Sequence, residues 1–458
     1  MKKWTALLVL VTALVTSGCA LKPEHVRPAA PVPATWKSTE APMVDGDETL
    51  DQLAWDGFIL DPVLKQMIQV ALEENRDLRL SLLNVEAVRA QYRITDADRL
   101  PTISVGTAAG RRRSEGDTNA DYSVNAGFSD FELDFWGRVK NLSESALQEY
   151  LASKAAGDMA RLTLISEVSQ AYLRRLGAQE QYNLIAATLA SRETGLELMT
   201  QRRKFGDASD LDYQEAFSLA EQARADLESM ARQLAQADNA LDLLVGRKLD
   251  LSAASAPHGE LLRDVPPGLS SELLLRRSDI QAAEHRLMAQ SAEIGAARAA
   301  FFPRIVLTTQ AGASSADLSD LFKSGSLTWQ FMPRLDVPIF THGRLKAALE
   351  LVKVRKERAV VEYEKSIQTA FREVADALVS RETLKREEAS LKALADSSAR
   401  SLYLAKLRYD QGVDNHLRYL DAQRADLANQ IRLIQTRTQK QIALVQLFAS
   451  LGGGWEKS

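Results

Sequence analysis

The side chains that most often carry chemistry are few and dispersed in this chain of 458 residues. Its five histidines, His25, His258, His285, His342 and His416, share no metal-ligand spacing. The eight methionines form no cluster that could pass copper or silver between thioethers. No serine sits in a strand-to-helix nucleophile elbow, and no G-x-G-x-x-G, Walker A or H-E-x-x-H sequence occurs. Enzymatic turnover is therefore not expected, and neither a cofactor nor a bound metal is predicted. A net charge of −4 leaves no electrostatic footprint for nucleic acid. Arg111-Arg112-Arg113 reads as a solvated or lipopolysaccharide-facing patch in a loop.

One thiol remains, and its setting gives it a different chemistry. A single cysteine excludes a disulfide framework and a multi-cysteine metal site. Lys2 and Lys3 precede an apolar run from Ala6 to Val15, too short to span a bilayer and suited to a signal-peptide core. Thr16-Ser17-Gly18-Cys19 follows and resembles a bacterial lipobox, with Thr16 where the pattern prefers Leu. Cys19 is thus the expected lipidation site, and Ala20 beside it suggests the outer membrane. Prolines 23, 28, 31, 33 and 42 then mark an extended tether. We divide this region as 1–18, signal peptide, and 19–60, lipid anchor and tether.

What positions the remaining residues is an internal repeat. Arg202, Gly206, Leu211, Tyr213 and Ala216 recur as Arg408, Gly412, Leu417, Tyr419 and Ala422, at an offset of 206. Gly137-Arg138 recurs as Gly343-Arg344, and Gly246 as Gly452, at that same offset. Upstream, Asp77 corresponds to Asp279 and Pro101 to Pro303. Self-similarity over this span means two copies of one large unit. We place them at 61–246 and 268–452, with a linker at 247–267 and a tail at 453–458. Proline is absent between Pro101 and Pro257 and after Pro338. Within these spans Arg138 to Lys204 and Arg344 to Leu407 read as continuous helix, each roughly 100 Å long. Ala216, Ala220, Ala223, Leu227, Met230, Leu234, Ala237, Leu241 and Leu244 alternate spacings of four and three, a coiled-coil seam rich in alanine. Gly206 and Gly412 are the expected reversals between a long helix and its return.

Strands are predicted at about 101–135 and 303–340. Ile103 to Ala109 and Ile305 to Ala311 alternate, as do Tyr122 to Phe128. The phase then slips to Phe131, Leu133 and Phe135, which suggests a bulge. In the last strand Leu327, Trp329, Phe331, Leu335, Val337 and Ile339 share one face, opposite Thr328, Gln330, Arg334 and Asp336. Apolar-polar alternation over about ten residues is the transmembrane β-barrel pattern. Loops are expected at Arg111–Ala120 and Ala313–Ser326. Four strands cannot close a barrel, whose minimum is about eight, and a bilayer tolerates no open edge. Two chains would supply eight strands and a filled lumen; three would supply about twelve and an open bore.

These segments resemble the TolC-like outer-membrane efflux proteins, in particular the lipoprotein branch serving RND-type multidrug pumps. FELDFWGRVK (131–140), LDLLVG (241–246), RRSDIQAAEHRL (276–287), AAFFPRI (299–305), VPIF-x-x-GR (337–344), RYDQGVDNHLRYLDAQ (408–423) and LGGGW (451–455) carry the resemblance. Thr341-His342 departs from the Asp-Gly of many relatives, at a strand-to-helix junction. The resemblance implies a mainly α fold with a transmembrane β-barrel part: a homotrimer whose helical hairpins form an α-barrel and whose four strands per chain build one shared barrel. The tether, the linker and the carboxy terminus would form an equatorial collar. It implies a passive efflux duct meeting a periplasmic adaptor and an inner-membrane RND transporter, with outer-membrane lipid around the strands. Gly206 and Gly412 match tip glycines where adaptor hairpins dock. Asp414 and Asp421 match acidic rings at a periplasmic constriction, where repulsion would raise their pKa values. Asp212 and Tyr409 match a hydrogen bond that holds the tip shut, with Arg418 a further partner for one of the carboxylates. A type I secretion duct and a pore-free periplasmic coiled-coil lipoprotein are the alternatives.

Overall fold

A computed structural model describes residues 21–33, 36, 54–114, 117–250, 261–264 and 271–453. Cys19 lies outside these residues. After a single helical turn at Trp55–Phe58, the repeat becomes visible as two parallel element lists. The first contains α1 (Pro62–Glu74), α2 (Arg76–Ala97), β1 (Ser104–Ser114), β2 (Asp117–Leu133), α3 (Arg138–Lys204) and α4 (Asp210–Val245). The second contains a 3-10 stretch (Ser271–Arg276), α5 (Ser278–Ala299), β3 (Arg304–Ser315), β4 (Leu327–Asp336), α6 (Arg344–Asp410) and α7 (His416–Ser450). α2 and α5 are both 22 residues long, and α3 and α6 are both 67. Among the described residues no helix is long and apolar enough to cross a membrane.

The chain divides into two compact units, both threaded by α3 and α6. One holds the strands, most of α2, nearly all of α5, and the first parts of α3 and α6. Its sheet runs β1-β2-β3-β4, antiparallel throughout, so β1 and β4 are edges with no further strand beside them among the described residues. The predicted slip is a register shift between Phe128 and Phe131, where Asp130 takes a φ of +55°. Arg111–Arg113 are not in a loop: β1 continues through them and pairs Arg111 with Ala120 and Arg113 with Thr118. The first hairpin is accordingly tighter than expected, because small and polar partners on β2 let the ladder run on past the apolar segment. On β4 every residue is exposed, including Leu327 at 79% and Trp329 at 76%. α5 is packed through alanines, with Ala282, Ala289, Ala292 and Ala296 all buried. His342 takes a left-handed φ of +50° just before Gly343. That is the conformation a glycine would adopt freely, so the Thr341-His342 departure leaves the turn intact with some strain.

In this same unit the amino-terminal segment is strapped down. Arg298 donates to the Leu21 carbonyl at 2.9 Å, and Lys22 pairs with Glu144 at 3.4 Å. Arg27 grips the buried Glu284 with two bonds of 2.7 and 2.8 Å.

The other unit holds α1, α4, α7 and the remainder of α3 and α6. Asp61 caps α1 by accepting from the Val63 amide, with Pro62 at the first helical position, where no amide is missed. The second Asp61 oxygen accepts from the Tyr172 hydroxyl at 2.8 Å, and both residues are buried. Phe58 stacks on Phe448 with centroids 4.1 Å apart. Buried Arg277 reaches the Ser450 carbonyl and Glu373, tying the start of the second repeat to the end of α7. Along α4, Ala216, Ala220, Ala223 and Leu241 are buried, while Leu227, Met230 and Leu234 are half-covered.

Candidate functional site at the paired helical turns

Both long helices end at a glycine with positive φ, Gly206 at +80° and Gly412 at +70°. Each lets the chain close a turn onto the helix end: Asp207 N donates to Arg202 O at 2.8 Å, and Val413 N donates to Arg408 O at 2.9 Å. A Cβ on either glycine would meet no atom within 4 Å, so the need for glycine is conformational, and the space beside each turn is open. The returning helices start on side-chain caps. Ser209 and Asp212 form a reciprocal capping box at α4, and Asn415 accepts from the Arg418 amide at α7.

The charges of the two turns are used differently. At the first, Arg203 pairs with Asp210 at 2.7 Å and lies 4.6 Å above the Tyr213 ring. At the second, Arg408 clasps Asp414 with bonds of 2.6 and 3.0 Å, and Arg418 approaches the same carboxylate at 3.9 Å. Only 14% of the Asp414 side chain is exposed. Within the chain, the Arg408 hydrogen bonds hold the Asp414 carboxyl below the usual carboxylate range. Asp421 stays on its own helix, paired with Arg424 at 3.0 Å.

The predicted bond between Asp212 and Tyr409 does not form. Asp212 is held by the Ser209 amide and hydroxyl at 3.1 and 2.7 Å, which also keeps its carboxyl acidic. Tyr409 instead accepts from Arg202 Nη1 at 2.9 Å, with the guanidinium 5.7 Å from its ring centre. A carboxylate that closes a capping box has satisfied the local donors and is no longer aimed at the neighbouring hairpin. Tyr409 also stacks on Tyr419, their planes 6° apart and centroids at 5.8 Å, and His416 sits against both rings. The arrangement thus gathers Asp212, Tyr409, Asp414 and Arg418 at the turns and adds Arg202, Arg203, Arg408 and His416. Two of these additions were within reach of the sequence, since Arg202 and Arg408 are the repeated arginines of the R-x-x-x-G signature.

Chemically these turns offer only non-covalent contacts. Among the described residues no group of three His, Cys, Asp or Glu could hold a metal. The cluster offers charge pairs, aromatic stacks and one hydrogen bond between hairpins, all of which can be made and broken without covalent change.

Comparison with known proteins gives this geometry its family. A family model described as outer membrane efflux protein matches residues 67–247 and again 269–453. The chain is 50% identical to the outer membrane protein OprJ of Pseudomonas aeruginosa over 461 residues, covering 98% of this chain and 95% of that protein. It is 44% identical over 472 residues to the toluene efflux pump outer membrane protein TtgF of Pseudomonas putida, covering 99% and 97%. The open state of the Neisseria gonorrhoeae MtrE outer membrane channel superposes with a TM-score of 0.88 at 37% identity, covering 95% of this chain and 98% of that one. With both halves matched and relatives alike over nearly the whole length, the chain belongs to the outer membrane efflux protein family.

Proposed function

We propose that the protein is the passive exit duct of a tripartite efflux pump, taking small toxic compounds from a periplasmic adaptor and an inner-membrane RND transporter to the outside. The observation that carries this reading is the four-stranded sheet with two open edges and exposed apolar rows. Edge amides and carbonyls left unpaired in lipid cost several kcal/mol each. Three copies joined edge to edge remove those edges and give about twelve strands, enough for an open bore. The strands then lie among outer-membrane lipid, and the helices continue the duct on the periplasmic side. The names of the relatives, among them a toluene efflux protein, support small apolar cargo.

Residues 1–18 act as the signal peptide, and Cys19 carries the lipid anchor at the head of the 19–60 tether. The strapping of Leu21, Lys22 and Arg27 supports a fixed anchor position, since only one residue separates Cys19 from the bonded Leu21 carbonyl. The repeats at 61–246 and 268–452 form the wall, with 247–267 and the 453–458 tail at its equator. Gly206 and Gly412, open on one side, serve as the adaptor contacts. Asp212, Tyr409, Asp414, Arg418 and Asp421 belong to the periplasmic gate, which opens when adaptor binding favours the open arrangement over the closed one.

The test is single-channel conductance in a planar bilayer, wild type beside an Asp414→Ala, Asp421→Ala double variant. A small cation-selective current that grows and loses selectivity in the variant is the expected result. Equal currents refute the gate assignment and leave the duct; silence from well-formed trimers of both refutes the duct.

A further inference from the structure

The two turns share a backbone but differ at the first position of the returning helix. With Ser209 and Asn415 as N-caps, that position is Asp210 in α4 and His416 in α7. Unpaired amides at a helix start favour an anion and disfavour a cation. Asp210 fits this field and is further matched by Arg203. His416 fits it only while neutral.

The surroundings of His416 point the same way. Its ring is half-buried, with centroids 5.1 Å from Tyr409 and 6.2 Å from Tyr419, and its Nδ1 is enclosed without a hydrogen-bond partner. The charged groups facing it come from two helices. Asp212 and Glu215 on α4 favour the imidazolium, and Arg202 on α3 opposes it. Tyr409 on α6 and Tyr419 on α7 enclose the ring. Burial outweighs the two carboxylates and pushes the imidazole below its ordinary value, and the helix start acts in that same direction. His416 also touches Tyr409, the residue through which Arg202 joins the hairpins.

We propose that His416 makes closure of the turns proton-sensitive: the neutral ring packs against Tyr409 and Tyr419 in the closed tip, and its protonation in acid drives the hairpins apart. This rests on the reading of the turns as a gate. The sign follows from linkage. In an opened tip the ring meets water and titrates near its ordinary value of about 6.5. In the closed tip it titrates lower. The closed form is therefore fully favoured above the open-tip value and loses that advantage as pH falls through the closed-tip value. Within this window each protomer's closed-to-open ratio changes by up to about tenfold per pH unit, and three protomers compound the effect.

Bilayer recordings at about pH 7.5 and about pH 5, on either side of the imidazole's ordinary range, test this with His416→Gln, His416→Arg and a Tyr409→Phe gate control, which removes the bond from Arg202. Wild type should open more often in acid, His416→Gln should stay closed at both values, and His416→Arg should be open at both. An equal acid response in wild type and His416→Gln overturns the proposal, as does a wild type indifferent to pH. In either case, a raised current from Tyr409→Phe shows that the gate reading survives and His416 alone is at fault. An unchanged Tyr409→Phe current places the failure in the gate reading. Should His416→Gln not assemble into trimers, His416→Asn, equally uncharged, is held to the same outcomes.

Discussion

Replacing Tyr409 by Phe should open the tip while leaving the fold intact. The substitution removes one oxygen, the acceptor of the 2.9 Å bond from Arg202 Nη1 that joins the end of α3 to the end of α6. It keeps the ring, and with it the stack on Tyr419 and the guanidinium at 5.7 Å. A hydrogen bond to a charged group contributes about 1.5–3 kcal/mol when shielded. Arg202 is exposed, however, so water recovers much of that, leaving about 0.5–1 kcal/mol per protomer. Three protomers moving together give about 1.5–3 kcal/mol, a shift of roughly 10- to 150-fold in the open-to-closed ratio. Open probability of single trimers in a planar bilayer measures this directly. Tyr419→Phe is the control, because its hydroxyl accepts from Gln423 one turn along the same helix and spans nothing. If Tyr409→Phe and Tyr419→Phe both behave as wild type, the Arg202–Tyr409 bond does not hold the tip, and the energetic argument fails.

Gly206→Ala and Gly412→Ala should each cost about 1–2 kcal/mol from the positive φ alone, with no clash to add. Heat-resistant trimers should therefore persist on a gel while dye export from cells falls; loss of the trimer band would place these glycines in assembly instead of at the tip. Tyr172→Phe strips the buried Asp61 carboxylate of a hydroxyl donor, and the midpoint of urea unfolding in detergent should drop by the equivalent of about 1–3 kcal/mol. An unchanged midpoint would mean that Asp61 is satisfied without it. Glu284→Gln should weaken the strap by about 1 kcal/mol, since Arg27 is half exposed, and proteinase K should then cut within residues 21–33 sooner than in wild type. Equal cleavage rates would show that Arg298 and Lys22 suffice to hold the segment.

The large elements were legible because their signals are long. Proline-free spans leave glycine turns as the visible breaks, and Gly206 and Gly412 follow where α3 and α6 end, while period-two alternation over β4 has no helical reading. Even the phase slip after Phe128 mapped onto an observed bulge, since one misplaced apolar position forces either a bulge or a buried polar residue. Arg111–Arg113 were misplaced because three charges in a row resemble a loop, whereas a hairpin rising beyond the membrane can carry charge on paired strands. The site was harder. Ser209-x-x-Asp212 has the form of a capping box, which is a local signal, but the resemblance assigned the same carboxylate a partner on another hairpin. A single chain of letters does not say which donor is nearer. His416 carried no motif, and its position matters only once two tyrosines from different helices enclose it.

If these turns form the proposed gate, the repeat explains how they would open as units. Each is closed on itself: the first by its capping box and the Arg203–Asp210 pair, the second by the Arg408–Asp414 clasp and the Asn415 cap. Opening therefore need not unravel either turn. It needs the contacts that pass between them to part, and Tyr409 sits in the middle of these, bonded to Arg202 and flanked by His416 and Tyr419. Duplication supplied both positions with an arginine four residues before the glycine, but the two have diverged in use. Arg408 turns inward to lock its own loop, and Arg202 reaches out to the other hairpin. If both had kept the inward role, the turns would be equally rigid and joined by packing alone. A polar link that costs little to break, set between two turns that are each hard to unfold, would let the proposed gate move between two defined arrangements instead of fraying.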